Sequence, residues 1–333
     1  MKKFPKGFDE RFVDFPGYIL GITREIWEDR GVGPALERYY AKDILVRAAT
    51  GMTTSNEGVT SATMQTLHEF PDRQLLGEDV VWNGSAERGL LSSHRIFSVA
   101  THTGDGQFGK ASGAAIRNRV IAECWVKDNQ VVEEWLVRDQ AAIAACIGLS
   151  AQEMAAAQVT RDLESSGEVG FFTADMDVKG EYVPVIESDP ATDAYASAWQ
   201  SIWEEREPLG IRDLYAPGVV LHLPGGVTAH GHQDIDQFVV SYLAALPDSV
   251  FKIEQLMINR DEGKLPRLAM RFSLSGTHTG WGRFGRPGGA PVYVMGMTQA
   301  HWIDGKVSME WLLIDEVSVW KQILAHDVKK SAT

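Results

Sequence analysis

The chain has 333 residues, about twice a common domain length, and is 44% hydrophobic and 23% charged, the make-up of an ordinary globular protein. A formal net charge of −13 leaves no surplus of positive charge for a nucleic-acid or anionic-membrane surface. No apolar run reaches the ~20 residues that span a bilayer, and two cysteines, Cys124 and Cys146, exclude a disulfide framework. The start, Met1-Lys2-Lys3-Phe4-Pro5-Lys6, has the charge of a signal peptide without its apolar stretch, so the expectation is a cytoplasmic protein of two domains.

Along the chain, Tyr18 to Asp29 carries Ile19, Ile22 and Ile26 at helical spacing. A short helix to Tyr39, a strand at Ile44-Leu45-Val46 and a helix from Val59 to Phe70 follow. Four strand-like runs come next, around Asp79–Trp82, Ser92–Thr101, Ala115–Val126 and Val131–Asp139, with Asp128-Asn129 as the hairpin turn before the last. A helix is predicted from Gln140 to Ile147. The stretch from Ser165 to Pro190 is rich in Gly, Ser and acids yet holds Phe171, Phe172 and Tyr182, so it reads as a linker packed on the surface. After it the same order returns: a helix from Ala194 to Glu205, a short helix to Tyr215, a strand at Val219–His222, a helix from Asp234 to Leu246, and strands joined at Asp304-Gly305.

That return is a repeat. One offset of 176 residues carries His102-Thr103-Gly104 onto His278-Thr279-Gly280, Ile26-Trp27-Glu28 onto Ile202-Trp203-Glu204, Tyr39 onto Tyr215 and Arg95 onto Arg271. It also carries Phe108-Gly109 onto Phe284-Gly285, and Glu134-Trp135-Leu136 with Asp139 onto Glu310-Trp311-Leu312 with Asp315. A gapless period this long means two copies of one domain. Residues 1–150 are assigned to copy one, 151–190 to the linker and 191–333 to copy two. Helices first and strands afterwards predict an α+β fold, two tandem cone-shaped barrels in which a curved antiparallel sheet carries its helices on one face.

The order His-x-Gly, Gly-x-Phe-Gly, a strand, an Asp turn and Glu-Trp-x-x-x-Asp resembles the SnoaL-like polyketide cyclases of the nuclear transport factor 2 superfamily. The resemblance implies a cone-shaped barrel, no metal or organic cofactor, dimerisation through the sheet, and an Asp at the end of the last long strand as acid/base. Carried over, that role falls on Asp139 and Asp315. By the strand period of two, Trp135, Val137 and Asp139 share a face, as do Trp311, Leu313 and Asp315. Each Asp is read either as an acid/base in an apolar pocket or as the cap of the helix that follows.

His102 and His278 are candidates to assist an Asp or to brace a glycine-rich loop. Trp27, Trp203, Tyr39, Tyr215, Trp135 and Trp311 are candidate pocket walls, and Arg95 and Arg271 candidate partners for a carboxylate. His222 lies on the first strand of copy two where copy one has Val46; with it, copy two carries the fuller pattern and is expected to be the active half. The penultimate strand has one charged face in copy one (Arg117, Arg119, Glu123) and an aromatic, sulfur-rich one in copy two (Tyr293, Met295, Met297); which face points inward is left open. The histidines lack companions at ligand spacing, so no metal is expected. The expected activity is a cofactor-independent lyase or isomerase acting on a small carbonyl compound, with Asp315 as acid/base. An epoxide hydrolase or dehydratase, or a non-catalytic binding protein, is the alternative. The copies are expected to pack as an intra-chain pseudo-dimer, with further self-association open.

Overall fold

The computed structural model describes residues 7–331; the basic start, residues 1–6, lies outside them. Copy one opens with α1 (Phe15–Thr23), capped by Asp14, whose carboxylate accepts the Gly17 N–H at 2.7 Å. A π-turn over Arg24–Glu28 extends it, and α2 (Pro34–Tyr39), β1 (Tyr40–Ala48), β2 (Gly51–Thr53) and α3 (Asn56–Glu69) follow. Then come β3 (Gln74–Ser85), β4 (Gly89–Thr101), β5 (Ala115–Lys127), β6 (Gln130–Arg138) and α4 (Gln140–Cys146).

The connecting stretch begins with a helix absent from the sequence reading, α5 (Ala151–Ser166). Ser150 and Glu153 form a reciprocal capping box at its start and Gly167, at φ 77°, closes it in the left-handed conformation that glycine adopts freely. Copy two repeats the order with α6 (Pro190–Trp203), α7 (Gly210–Leu214), β7 (Tyr215–Leu223), β8 (Val227–His230), α8 (Gly231–Ala245), β9 (Val250–Asn259), β10 (Arg267–Thr277), β11 (Pro291–Ile303), β12 (Lys306–Ile314) and α9 (Glu316–Ser331).

Each copy is an α+β unit around one six-stranded sheet, ordered β2-β1-β6-β5-β4-β3 and β8-β7-β12-β11-β10-β9. The sheets are mixed rather than wholly antiparallel, because β1 pairs in parallel with β6 and β7 with β12. A helix and four strands separate the members of each parallel pair, the long crossover that parallel pairing requires.

Side chains alternate across a strand, and the two faces of each sheet have different fates. The odd-numbered face of copy one meets the odd-numbered face of copy two. Ile121, Trp135 and Val137 pack on Met295, Met297, Trp311 and Leu313. Val81, Leu91 and Trp125 pack on Met257 and Ala269. Two related cationic contacts cross this seam. The Arg95 guanidinium lies 3.5 Å from the Trp311 ring centre and donates to Gln299 Oε1 at 2.6 Å; the Arg271 guanidinium lies 4.2 Å from the Trp135 ring centre and donates to Glu123 at 2.8 Å. Linker residue Tyr182 closes one side, its ring against Trp125 and Trp135 and its hydroxyl donating to Gln255 at 2.7 Å.

Burial raises the Glu123 carboxyl above its ordinary range, and Arg271 opposes that shift. Removing the arginine strands a carboxylate in the seam. Arg271→Met is therefore expected to cost ~3–5 kcal/mol in urea unfolding. Arg95→Met, which leaves the neutral Gln299 and the half-buried Glu78 behind, is expected to cost less. Adding Glu123→Leu to Arg271→Met should recover most of the loss.

Candidate functional site

The even-numbered faces point away from the seam and into the two cones. In copy one, β4, β5, β6, α1 and α3 enclose a cavity of about 390 Å³. Towards one end stand Trp27, Tyr40, Thr63 and Glu134; His94, Ala122 and Leu136 form a row across the strands, and Ile96, Val120 and Arg138 the next; Asn118, Arg73, Glu69 and Gln140 lie towards the other end.

Copy two has filled the same space. At the 176-residue offset Thr23 becomes Trp199, Ala62 becomes Phe238, Thr66 becomes Tyr242, Leu75 becomes Phe251 and Ile96 becomes Phe272. The polar His94, Ser98, Asn118 and Arg138 become Met270, Leu274, Val294 and Ile314. These residues join the largest apolar cluster of the chain. Phe272 is seated so closely over Gly296 that a Cβ there would lie 2.1 Å from its ring; the copy-one counterparts are Ile96 and Val120, which leave room. The hollow cone is thus in copy one, opposite to the expectation drawn from His222.

The expected residues distribute as follows. Trp27 does line the cavity, its indole N–H donating to the Thr63 hydroxyl at 3.2 Å. Trp135, Trp311, Arg95 and Arg271 do not, because they lie on the odd face and are consumed by the seam. His222 lies there too, half-buried and stacked on Trp311 at 5.4 Å. Trp203 stacks on Trp199 inside the packed cone, and Tyr215 donates to Glu310 at 2.5 Å. Tyr39 donates to Asp9 at 2.8 Å with its ring in the copy-one core; its neighbour Tyr40 is the one that reaches the cavity.

His102 and His278 brace their loops. His102 Nδ1 meets the Ser112 hydroxyl at 3.0 Å beside the Phe70 ring, and the His278 backbone is tied to Gly289 and Ala290.

Both aspartates are caps. Asp139 accepts the Ala142 N–H at 3.0 Å at the start of α4, and also reaches across to the Gly225 and Gly226 N–H groups at 2.9 and 3.1 Å. Burial pushes its carboxyl up to about 6 against those backbone donors. Asp315 accepts from Gln140 Nε2 at 2.6 Å and the Ser318 hydroxyl at 3.0 Å. It sits in the wall of the copy-one cavity, so it reaches a cavity, but the other copy's, and its partners do not include His278.

The ionisable groups inside the cavity went unread in the sequence. Glu134 accepts one hydrogen bond, from the Tyr40 hydroxyl at 3.1 Å, and burial raises its carboxyl to about 7. Its counterpart Glu310 is also raised to about 7, but it is walled in by Tyr195, Tyr215 and Thr298. His94 pairs with the Ser92 hydroxyl at 3.2 Å, and burial lowers its pKa to about 4, so it is neutral at physiological pH. No hydrogen bond or ion pair of the Arg73 or Arg138 side chain is found among the described residues. Position by position comparison of the two copies carried this signal: where one copy has aromatic filling, the other has small and polar side chains.

The family model for SnoaL-like polyketide cyclases matches residues 18–147 and 193–323, so the chain belongs to that family, with two tandem copies. Similar solved structures include IdmH of Streptomyces antibioticus (20% identity, 40% of this chain and 97% of that one, TM-score 0.34) and AclR of Streptomyces galilaeus (22%, 41% and 95%, 0.34). A SnoaL-like polyketide cyclase of Agrobacterium tumefaciens is 19% identical over 41% of this chain and 99% of its own, with a TM-score of 0.32. None of the curated proteins matches. Among the described residues, no three His, Cys, Asp or Glu side chains converge as metal ligands, and no single helix is long and apolar enough to cross a membrane.

Two outcomes follow from a hollow and a packed cone. Phe272→Ala should cost ~3–5 kcal/mol in urea unfolding, and Ile96→Ala, beside existing open space, less than half of that. Glu134 and Glu310 keep their protons to about pH 7 when folded but lose them near 4.5 when unfolded. The folded state therefore binds the extra protons in that window, and stability falls as pH rises through it. Glu310→Gln should flatten part of that slope.

Proposed function

We propose that copy one is the working half: a cofactor-independent lyase or isomerase of the cyclase type, in which Glu134 moves a proton on a small carbonyl compound. The observation that carries this is a carboxyl with a pKa of about 7, held by a single hydrogen bond and facing an open cavity. A group poised there accepts and returns protons with little bias at neutral pH. Membership of the polyketide cyclase family supports an intramolecular aldol closure as the reaction.

In that closure the Glu134 carboxylate takes a proton from carbon next to a carbonyl, and the C–H electron pair passes into the enolate. His94, neutral and hydrogen-bonded to Ser92 through Nδ1, acts in the tautomer protonated at Nε2 and donates that N–H to the enolate oxygen. The enolate carbon bonds to a second carbonyl carbon, whose π pair moves to oxygen, and the resulting alkoxide takes the proton back from Glu134. Asp315 is a positioning residue in this reading: it orients Gln140 in the cavity wall from the other copy.

Deuterium exchange into aryl β-diketones, followed by NMR in D2O, tests the proton transfer before the natural substrate is known. The wild-type rate is expected to rise with pH around a midpoint near 7 and to fall ~10²–10⁴-fold in Glu134→Gln, with the inflection lost. Exchange that persists in the folded Glu134→Gln variant would show that Glu134 is not the base.

A further inference from the structure

The two arginines of the cavity have no role in the proton transfer. Arg138 shares the even face of β6 with Glu134, four residues further on, so their Cα atoms stand ~13 Å apart along the strand. Arg73 lies just before β3 and faces the same end of the cavity, and its buried Nε has no hydrogen-bond partner. An arginine enclosed in protein is ordinarily paired, as the rest of this chain demonstrates. Arg47 has Glu133 and Asp177, Arg95 has Glu78 and Gln299, and Arg271 has Glu123.

In the cavity the pattern breaks. Burial, and then Arg138, lower the Arg73 pKa to about 9 against the pull of Glu28, and burial lowers that of Arg138 against the pull of Asp315 and Glu69. These carboxylates favour the cations from a distance, but their hydrogen bonds go elsewhere. Glu69 accepts the Phe108 N–H at 2.9 Å, Asp315 is held by Gln140 and Ser318, and Glu28 accepts the Leu75 N–H at 3.0 Å. Copy two, whose cone is packed, has neither cation: Ser249 and Ile314 stand at their positions. The positive charge belongs to the hollow, not to the fold.

We infer that the copy-one cavity takes an organic acid, whose carboxylate is held by Arg138 and Arg73 while its ketone-bearing end lies against Glu134. A planar guanidinium matches a carboxylate through two parallel N–H···O bonds, and a bound anion would relieve the repulsion between the two cations. The separation along β6 demands an elongated molecule, of the length of a fused two- or three-ring acid, with its acidic C–H remote from the carboxylate. This inference rests on the assignment of copy one as the working half, but concerns binding, so it is tested without turnover.

Calorimetry on the full chain with 3-benzoylpropionate, 1-naphthylacetate and 2-naphthoate, each beside its primary amide, reads the preference directly. The acids are expected to bind about 10-fold or more tightly than the matched amides. Arg138→Gln and Arg73→Gln should each reduce that ratio, and the double variant should bring it close to one by weakening the acids much more than the amides. Because no ion pair is lost, Arg138→Gln should melt at or above the wild-type temperature, so loss of the preference is not loss of the fold. A wild-type protein that binds no acid better than its amide overturns the inference, as does a preference that survives in the double variant. Charge-selective binding combined with undiminished deuterium exchange in Glu134→Gln supports the acid site and removes the catalytic reading; the reverse pattern does the opposite.

Discussion

The structure depends on the burial of one sheet face against another. Because side chains alternate along a strand, committing Ile121, Trp135 and Val137 to Met295, Met297, Trp311 and Leu313 dictates what the other face does. Residues 94, 96, 118, 122, 134, 136 and 138 must then face the helices of their own copy. A one-residue slip in either sheet would exchange the seam for the cavity. The buried Arg271–Glu123 pair and its counterpart Arg95–Gln299, in which the acceptor is neutral, fall within this seam, where an off-register pairing would leave a charge without a partner.

With the outer face committed, the inner face was free to diverge. Copy two converted its cone into a packed core of Trp199, Phe251 and Phe272, and its ligand-sized space vanished. Copy one has small and polar side chains and with them the costs of a hollow: unfilled contacts, a glutamate whose carboxyl burial raises to about 7, and two guanidinium groups without a hydrogen-bonded partner among the described residues. Those costs are local, since the packed half and the seam supply the burial that the hollow half lacks. The proposed function therefore falls in the less well packed copy.

Much of the architecture was legible. The 176-residue offset revealed the two copies, although it slips by one residue along β1 and β7, where Tyr40 rather than Tyr39 matches Tyr215 and Arg47 rather than Val46 matches His222; the Asp128-Asn129 and Asp304-Gly305 turns marked hairpins, and the element order led to an α+β class. The parallel entry of β1 beside β6 was not legible, because strand direction depends on the crossover rather than on any local pattern. The site was misread through a specific ambiguity. Trp135-x-Val137-x-Asp139 and its repeat have the apolar pattern of a pocket wall, but a sheet that buries its face on another sheet requires the same pattern. Periodicity shows that two residues share a face, not what that face meets. The contrast of Thr23 with Trp199, or of Arg138 with Ile314, does carry the answer, since an aromatic fills a cone and a solitary arginine does not.

The strand-end aspartates explain why a filled copy is not dispensable. Each caps the helix that follows it, yet each also extends past its own domain. Asp139 holds the Gly225 and Gly226 N–H groups of copy two, and Asp315 holds the Gln140 side chain of copy one. Gln140 also accepts from Gln107 at 3.2 Å and Gln158 at 3.1 Å, which ties the cavity wall to the glycine-rich loop and to α5. One wall of the hollow cone is therefore finished by a carboxylate of the packed one. A copy-one domain cut free would lose that carboxylate, expose Trp135 and Ile121 to water, and leave Glu123 without Arg271. The cavity is a property of the pair of copies, although its inner lining comes almost wholly from the first.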